Sequence, residues 1–218
     1  MDTTLTTWIK KNAYPNGQIK TAARYQGKSL HGVAVGYFAS GGVRFVEHFK
    51  KGKLHGNCRH WYENREPHCK GNYVEGRREG FWQWWHSNGK PSNCAVFRKG
   101  QKNGWGASFH ENGITSGIIH WVDNQADGIA VGWFDNGELE YVSNYKEGVL
   151  HGFSLEQDSH GRVVSYNIYE NGRLVLGSVP NALEVEKLIK TAIRGVRSNL
   201  QISLVQFGRS KLRSRSAA

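Results

Sequence analysis

The chain has 218 residues and a net charge of +11, from 29 Lys and Arg against 18 Asp and Glu. Its first eight residues lack the basic patch and apolar run of a signal peptide, and no stretch reaches transmembrane length, so the sequence predicts an intracellular protein, cytoplasmic or peripheral at a membrane and not secreted. Three cysteines, Cys58, Cys69 and Cys94, are odd in number and widely spaced, which excludes a disulfide framework and matches no zinc pattern.

Residues 1–7 read as a lead-in, and from Trp8 a repeat begins. An aromatic stands at Tyr25, Phe49, Tyr73, Phe97, Trp121, Tyr145 and Tyr169, each step 24 residues long. Glycine follows seven residues after the first six of these, at Gly32, Gly56, Gly80, Gly104, Gly128 and Gly152. A second aromatic row reads Tyr37, Trp61, Trp85, Phe109 and Trp133 before lapsing at Gln157. Rows that keep register this long are the mark of a repeat architecture.

Within each unit the turn falls at Ser40-Gly41, Asn88-Gly89, Asn112-Gly113, Asn136-Gly137 or His160-Gly161, with Asn64-Arg65 the exception. Asn-Gly predicts a type I′ turn, in which both central residues take positive φ. The flanking runs, such as Phe81 to Trp85 and Ile129 to Phe134, are aromatic and β-branched and predict strands. A second bend of the form Tyr-x-x-Gly-x-x-x-Gly, as in Tyr73 to Gly80, joins one unit to the next. Each unit is then an antiparallel hairpin. The array, residues 8–179, is predicted as an all-β, elongated single-sheet solenoid of about six to seven hairpins, on the order of 60 Å long at ~4.8 Å per strand. Its two aromatic rows become structural ladders of stacked rings that supply the core a thin sheet lacks.

Past Pro180 the apolar spacing becomes helical: Val185, Leu188, Ile189, Ala192, Ile193, Val196 and Leu200 form one stripe, with Asn181 and Glu184 placed as a capping box. Residues 180–207 therefore read as an amphipathic helix and a short apolar segment, expected to cap the exposed edge of the last hairpin. A membrane-surface helix and a dimer contact are the other roles open to the stripe. Residues 208–218 alternate serine with Arg209, Lys211, Arg213 and Arg215 and read as a basic disordered tail. Residues 181–218 hold eight Lys and Arg against Glu184 and Glu186, which puts +6 of the net charge there.

The bends between units gather Lys50, Lys51, Lys53, Arg77, Arg78, Arg98, Lys99 and Lys102. Equivalent bends align along one edge, so these residues form a candidate basic ridge for phosphate groups, or else serve only to blunt the turns. His31, His55 and His151 share one frame position and read as bend residues, because histidines ~10 Å apart do not reach one metal. His60, His86 and His110 read as partners of the rings. No nucleophile motif or phosphate loop is present, so no enzyme activity, catalytic residue, metal site or cofactor is predicted.

Units such as Tyr73-Val-Glu-Gly-Arg-Arg-Glu-Gly-Phe-Trp-Gln-Trp-Trp-His-Ser-Asn-Gly89 and Phe49-Lys-Lys-Gly-Lys-Leu-His-Gly-Asn-Cys-Arg-His-Trp-Tyr-Glu-Asn64 resemble MORN repeats (membrane occupation and recognition nexus) over about residues 8 to 173. The resemblance is closer to the variant form of bacterial proteins, some of them antitoxin-like, and of large DNA viruses. A standard unit opens Tyr-x-Gly and has Gly-x-Gly after the bend, which only Tyr25-Gln26-Gly27 and Gly104-Trp105-Gly106 reproduce. The resemblance implies a hairpin array and a scaffolding role, often dimeric, with no catalytic residue. The function expected is thus an interaction scaffold that binds a protein partner or itself. The alternatives are a peripheral module for anionic phospholipid and a nucleic-acid-binding or antitoxin-like protein that uses the basic tail.

Overall fold

The computed structural model describes residues 6–177 and 185–199. The capping pair Asn181 and Glu184, the stripe's end at Leu200 and the basic tail 208–218 lie outside these residues. Sixteen strands follow one another: β1 (Thr7–Ala13), β2 (Ile19–Gln26), β3 (Ser29–Tyr37), β4 (Val43–Lys50), β5 (Lys53–Trp61), β6 (Pro67–Val74), β7 (Arg77–Trp85) and β8 (Pro91–Arg98), then β9 (Gln101–Lys102), β10 (Gly104–Phe109), β11 (Thr115–Val122), β12 (Gln125–Trp133), β13 (Leu139–Lys146), β14 (Val149–Gln157), β15 (Val163–Glu170) and β16 (Arg173–Gly177). One helix, α1, covers 185–199. The strands form one open antiparallel sheet in chain order from β1 to β16, with the short β9 pairing only β8. This is the all-β hairpin repeat that the aromatic and glycine rows predict. Two compact units divide within β8: Met1–Pro91 with Phe97–Gly100, and Ser92–Val96 with Gln101–Ala218.

The two kinds of turn exchange the roles expected of them. At the Asn-Gly turns only the glycine has positive φ, as at Gly89 (81°), Gly113 (90°) and Gly137 (89°), with Arg65 (70°) replacing glycine in its unit. Seven turns share one bonding pattern, in which the first residue donates to a carbonyl four residues on and accepts from the N–H three residues on, as in Phe134 N to Glu138 O and Gly137 N to Phe134 O. These are four-residue turns closed by a left-handed residue, and the register slips beside them, for example between Gly132 and Trp133. The type I′ geometry sits at the other bends, where both central residues have positive φ: Lys51-Gly52 (50°, 80°), Glu75-Gly76 (49°, 81°) and Asp123-Asn124 (48°, 70°). A loop of only two residues between paired strand ends, as between Lys50 and Lys53, matches the strand twist in this geometry.

Asparagine is common in the four-residue turn because it bonds in two directions. Its Oδ1 accepts the N–H two residues on, as Asn136 does from Glu138 (2.9 Å), an Asx turn. Its Nδ2 donates to the turn of the next hairpin: Asn64 to Ser87 O (2.7 Å), Asn112 to Asp135 O (2.6 Å) and Asn136 to Ser159 O (3.0 Å). The residue that opens the turn adds a second link, since Tyr62 donates to Trp85 O (2.8 Å) and His110 Nε2 to Trp133 O (2.7 Å). At the opposite end, backbone N–H groups of Gly52, Gly76, Gly100, Asn124, Gly148 and Gly172 each donate to the preceding hairpin, at 2.8–3.0 Å. Successive hairpins are therefore tied at both ends as well as along their strands.

The glycine and aromatic rows turn out to be cross-strand partners: Gly32 faces Phe49, Gly56 faces Tyr73, Gly104 faces Trp121 and Gly128 faces Tyr145. The rows run as predicted, but they are not ladders of stacked rings. Members of one row are two strands, about 10 Å, apart, beyond the ~4.5–7 Å range of ring contact. Row members Tyr73 and Phe97 instead meet a ring outside both rows, as Tyr73–Trp82 (4.9 Å) and Trp82–Phe97 (6.3 Å), and Trp82 lies 5.6 Å from Trp84, also outside them. Space for such rings comes from glycine opposite them: a Cβ on Gly71 would stand 2.2 Å from the Trp82 ring.

Asn136→Ala should cost about 1 kcal/mol in urea denaturation, and Asn136→Asp, which keeps the acceptor but not the donor, about half of that. Wild-type stability in the Asp variant would show that the link to Ser159 contributes nothing.

Candidate functional site

The first unit carries two different surfaces on its two faces. One line of cross-strand partners runs Ala22, Val35, Val46, Arg59, Lys70, Gln83. Arg59 is exposed and a shallow groove runs beside it, lined by Val46, His48, Asn57, Arg59 and Trp61. Lys50 and Lys53 form a directly opposed pair at the bend. Of the predicted ridge, Lys50, Lys51, Lys53, Arg77, Arg98 and Lys99 are exposed. Acids interrupt it: Glu75 lies 3.8 Å from Lys53 and 3.4 Å from His55.

Arg78 departs from the ridge. It alternates with Arg77 along β7, so its side chain takes the opposite face, where its guanidinium lies over Trp82 (4.8 Å), Phe97 (5.3 Å) and Trp84 (5.4 Å). There it is half-buried and acts as part of the ring core. Lys102, in the second unit, is likewise folded over a ring, 4.4 Å from the centroid of Trp121. The bend residue of the histidine frame acts as a staple: Nδ1 of His55 accepts from Glu75 N (3.4 Å), and Nδ1 of His151 accepts from Asn171 N (3.3 Å).

On the ring face of the first unit a polar cluster lies across β4, β5 and β6. Glu47 pairs with Cys58 and His60 with Cys69, and since Cys58 and His60 alternate along β5 all four side chains share one face. His60 Nε2 is 2.9 Å from Glu47 Oε1. Donor atoms of Glu47, Cys58 and His60 lie within 4.8 Å of one another, and so do those of His60, His68 and Cys69. Cys58 and Cys69 are 3% and 8% exposed. A hydrogen bond from Cys58 pulls the Cys69 thiol down to about 7, with the charges of His60 and Arg78 helping and burial opposing. The same bond, then burial, pushes Cys58 far up. Glu47 raises His60 above its ordinary value, against the effect of burial.

The sequence hid this cluster. The cysteines occupy different frame positions 11 residues apart, and only the hairpin register sets them side by side. The core line to which Cys58 belongs was equally obscure. Ala34, Cys58, Trp82, Gly106, Ala130 and Ser154 recur every 24 residues and are all buried, but only Ala34 and Ala130 share a residue type, so the row carries no composition signal. In the second unit the pair equivalent to Glu47 and Cys58 is Ser143 and Ser154, buried and hydrogen-bonded at 2.8 Å.

The line equivalent to Val46, Arg59 and Lys70 is apolar in the second unit, where Ala107, Ile118, Val131, Val142 and Leu155 are successive partners. All five are at most 4% exposed. The cover is α1, whose predicted stripe faces inward with Val185, Ala192 and Val196 buried and Leu188 and Ile189 half-buried, and whose Arg197 lies 5.9 Å from the ring of Trp133 on β12. The helix thus lies on a sheet face and does not close the final edge. Edge capping would have buried β16, yet all five of its residues are exposed, with Leu174 at 59%, Val175 at 61% and Leu176 at 52%. No described helix is long and apolar enough to cross a membrane.

Residues 126–147, from Ala126 on β12 to Glu147 after β13, match the family described as MORN repeat variant. They make up one hairpin around Asn136-Gly137, and the turn in it is one of seven with the same bonding. The chain is therefore a protein of repeated β-hairpins in register. The matched hairpin supports reading it as a MORN repeat protein of the variant form. No curated protein matches the chain in sequence.

Val196→Asp should place a charge against the covered face and release the helix. Amide exchange across β11 to β14 should then accelerate by about tenfold or more while β4 to β6 keep their rates. Uniform rates in both units would refute docking of α1 on this face.

Proposed function

We propose that the protein is a non-catalytic interaction scaffold whose open strand edges take up a protein partner or a second copy of the chain. The observation that carries this reading is the state of β16: an apolar strand, exposed on both faces, with no further strand beside it among the described residues. The first edge is similar, since every residue of β1 is exposed, Trp8 at 45% and Ile9 at 58%. Unpaired N–H and C=O groups with apolar side chains are what a partner strand recognises. Hairpin repeats present such edges on a body held by its own cross-links, which suits holding partners more than enclosing a substrate. The three buried free cysteines accord with a reducing, intracellular setting. The wild type should show concentration-dependent association in sedimentation equilibrium, or capture partners from the native source, and Val175→Lys combined with Leu176→Lys should abolish it. A wild-type chain that stays monomeric, and whose captured partners survive both substitutions, sinks the reading.

A second reading, an anionic membrane surface, is favoured by the first unit's basic face. Like charges stand directly opposed at Lys50–Lys53 and at Arg59–Lys70; Glu75 near Lys53 and the Trp85 ring beneath Lys70 take part of this charge, and the excess of positive charge on the face favours an anionic partner. Lys53→Glu with Arg59→Glu should remove co-sedimentation with phosphatidylserine vesicles. Equal binding of the wild type to neutral phosphatidylcholine vesicles would reject this reading.

A further inference from the structure

We propose that Cys58, Cys69, His60 and Glu47 form a binding site for one zinc ion on the ring face of the first unit.

The donor set is that of a tetrahedral zinc centre: two sulfurs, an imidazole nitrogen and a carboxylate oxygen. With bonds of about 2.3 Å to sulfur and 2.0 Å to nitrogen or oxygen, tetrahedral donors stand roughly 3.3–3.8 Å apart. Here Glu47, Cys58 and His60 already have donor atoms within 4.8 Å of one another, and His60 lies within the same distance of Cys69. The two threesomes share His60, and zinc binding requires side-chain rotation to bring Cys69 to the Glu47–Cys58–His60 group, on backbones fixed as two directly opposed pairs on three adjacent strands.

The surroundings also fit. Both thiols are buried, while Glu47 and His60 keep 19% and 31% of their side chains exposed, which leaves an entry path. Phe45 flanks His60 at 5.7 Å, and the Trp82 ring lies against Gly71, the partner of Cys58, so apolar rings exclude water from two sides. Zinc with two thiolates and one carboxylate carries a net charge of −1, and the Arg78 guanidinium, held over Trp82, Trp84 and Phe97, offsets it. On binding, the thiols release their protons and His60 coordinates in its neutral form. Glu47 is assigned as fourth ligand over His68, which is exposed and engaged with the Tyr62 ring at 4.6 Å. Arg44 also acts on His60, and its charge opposes cation binding there. The two thiolates outweigh it.

The test uses the full chain without an affinity tag, reduced, stripped with chelator and titrated with zinc or cobalt. Zinc retained after dialysis should be about one per chain. It should fall well below half in Cys58→Ser and Cys69→Ser, and stay at the wild-type level in Cys94→Ser, whose buried thiol lies outside the cluster. Cobalt added to the wild type should give intense tetrahedral d–d bands and a near-ultraviolet thiolate charge-transfer band, a readout that needs no variant to fold. Glu47→Gln should weaken zinc at least tenfold in competition with a chromogenic chelator, and His68→Ala should not. A wild-type chain that retains no zinc, a cobalt spectrum without thiolate charge transfer, or equal loss in Cys94→Ser would overturn the site. Loss in His68→Ala with none in Glu47→Gln would overturn the choice of fourth ligand.

Discussion

Register is the constraint on which the structure rests. Each period of 24 residues holds two strands, a two-residue turn, a four-residue turn and a bulge at glycine, and together they return the chain to the same face in the same phase. A slip of one residue would move every side chain to the opposite face. The cross-links guard against that slip: turn asparagines bond forward to the next hairpin, and glycine N–H groups bond back to the previous one. Packing, charge and the thiol cluster all follow from side chains being delivered to fixed lines.

Regularity of that kind lets two units with the same backbone pattern differ in chemistry. Along one line the first unit presents Val46, Arg59 and Lys70, whereas the second presents Ile118, Val131 and Val142 beneath a helix. Along the other line, Glu47 and Cys58 in one unit correspond to a hydrogen-bonded serine pair in the other. The backbone tolerates either, because a cross-strand position asks only that its occupant match the volume and polarity of its neighbours. The repeat fixes where residues go and leaves open what they are.

This division explains what the sequence disclosed. Strands, turns and the helical stripe were legible because Tyr25 to Tyr169, the glycine row and Val185 to Val196 are periodic in residue type. Turn type was not, because Asn-Gly serves equally in a two-residue turn and in a four-residue one closed by glycine, and loop length decides between them. Arg78 looked like its neighbour Arg77, and only strand alternation sends it among the rings. The partners of Cys58 and His60 were hidden because cross-strand pairing joins positions whose separation in the chain carries no motif. The helix's place on a face was recorded in Ala107, Ile118, Val131, Val142 and Leu155, a line whose apolar character shows only once the register is known.

That covered line also limits how the array grows. A 15-residue helix is about 22 Å long, and the span from Ala107 to Leu155 crosses four inter-strand gaps, about 19 Å. The helix therefore acts as a ruler for the strands beneath it. Duplication of a hairpin outside that span adds length at no cost to the covered face. Duplication within it would leave an aliphatic row open to water, so evolution is free to count repeats everywhere except under the lid.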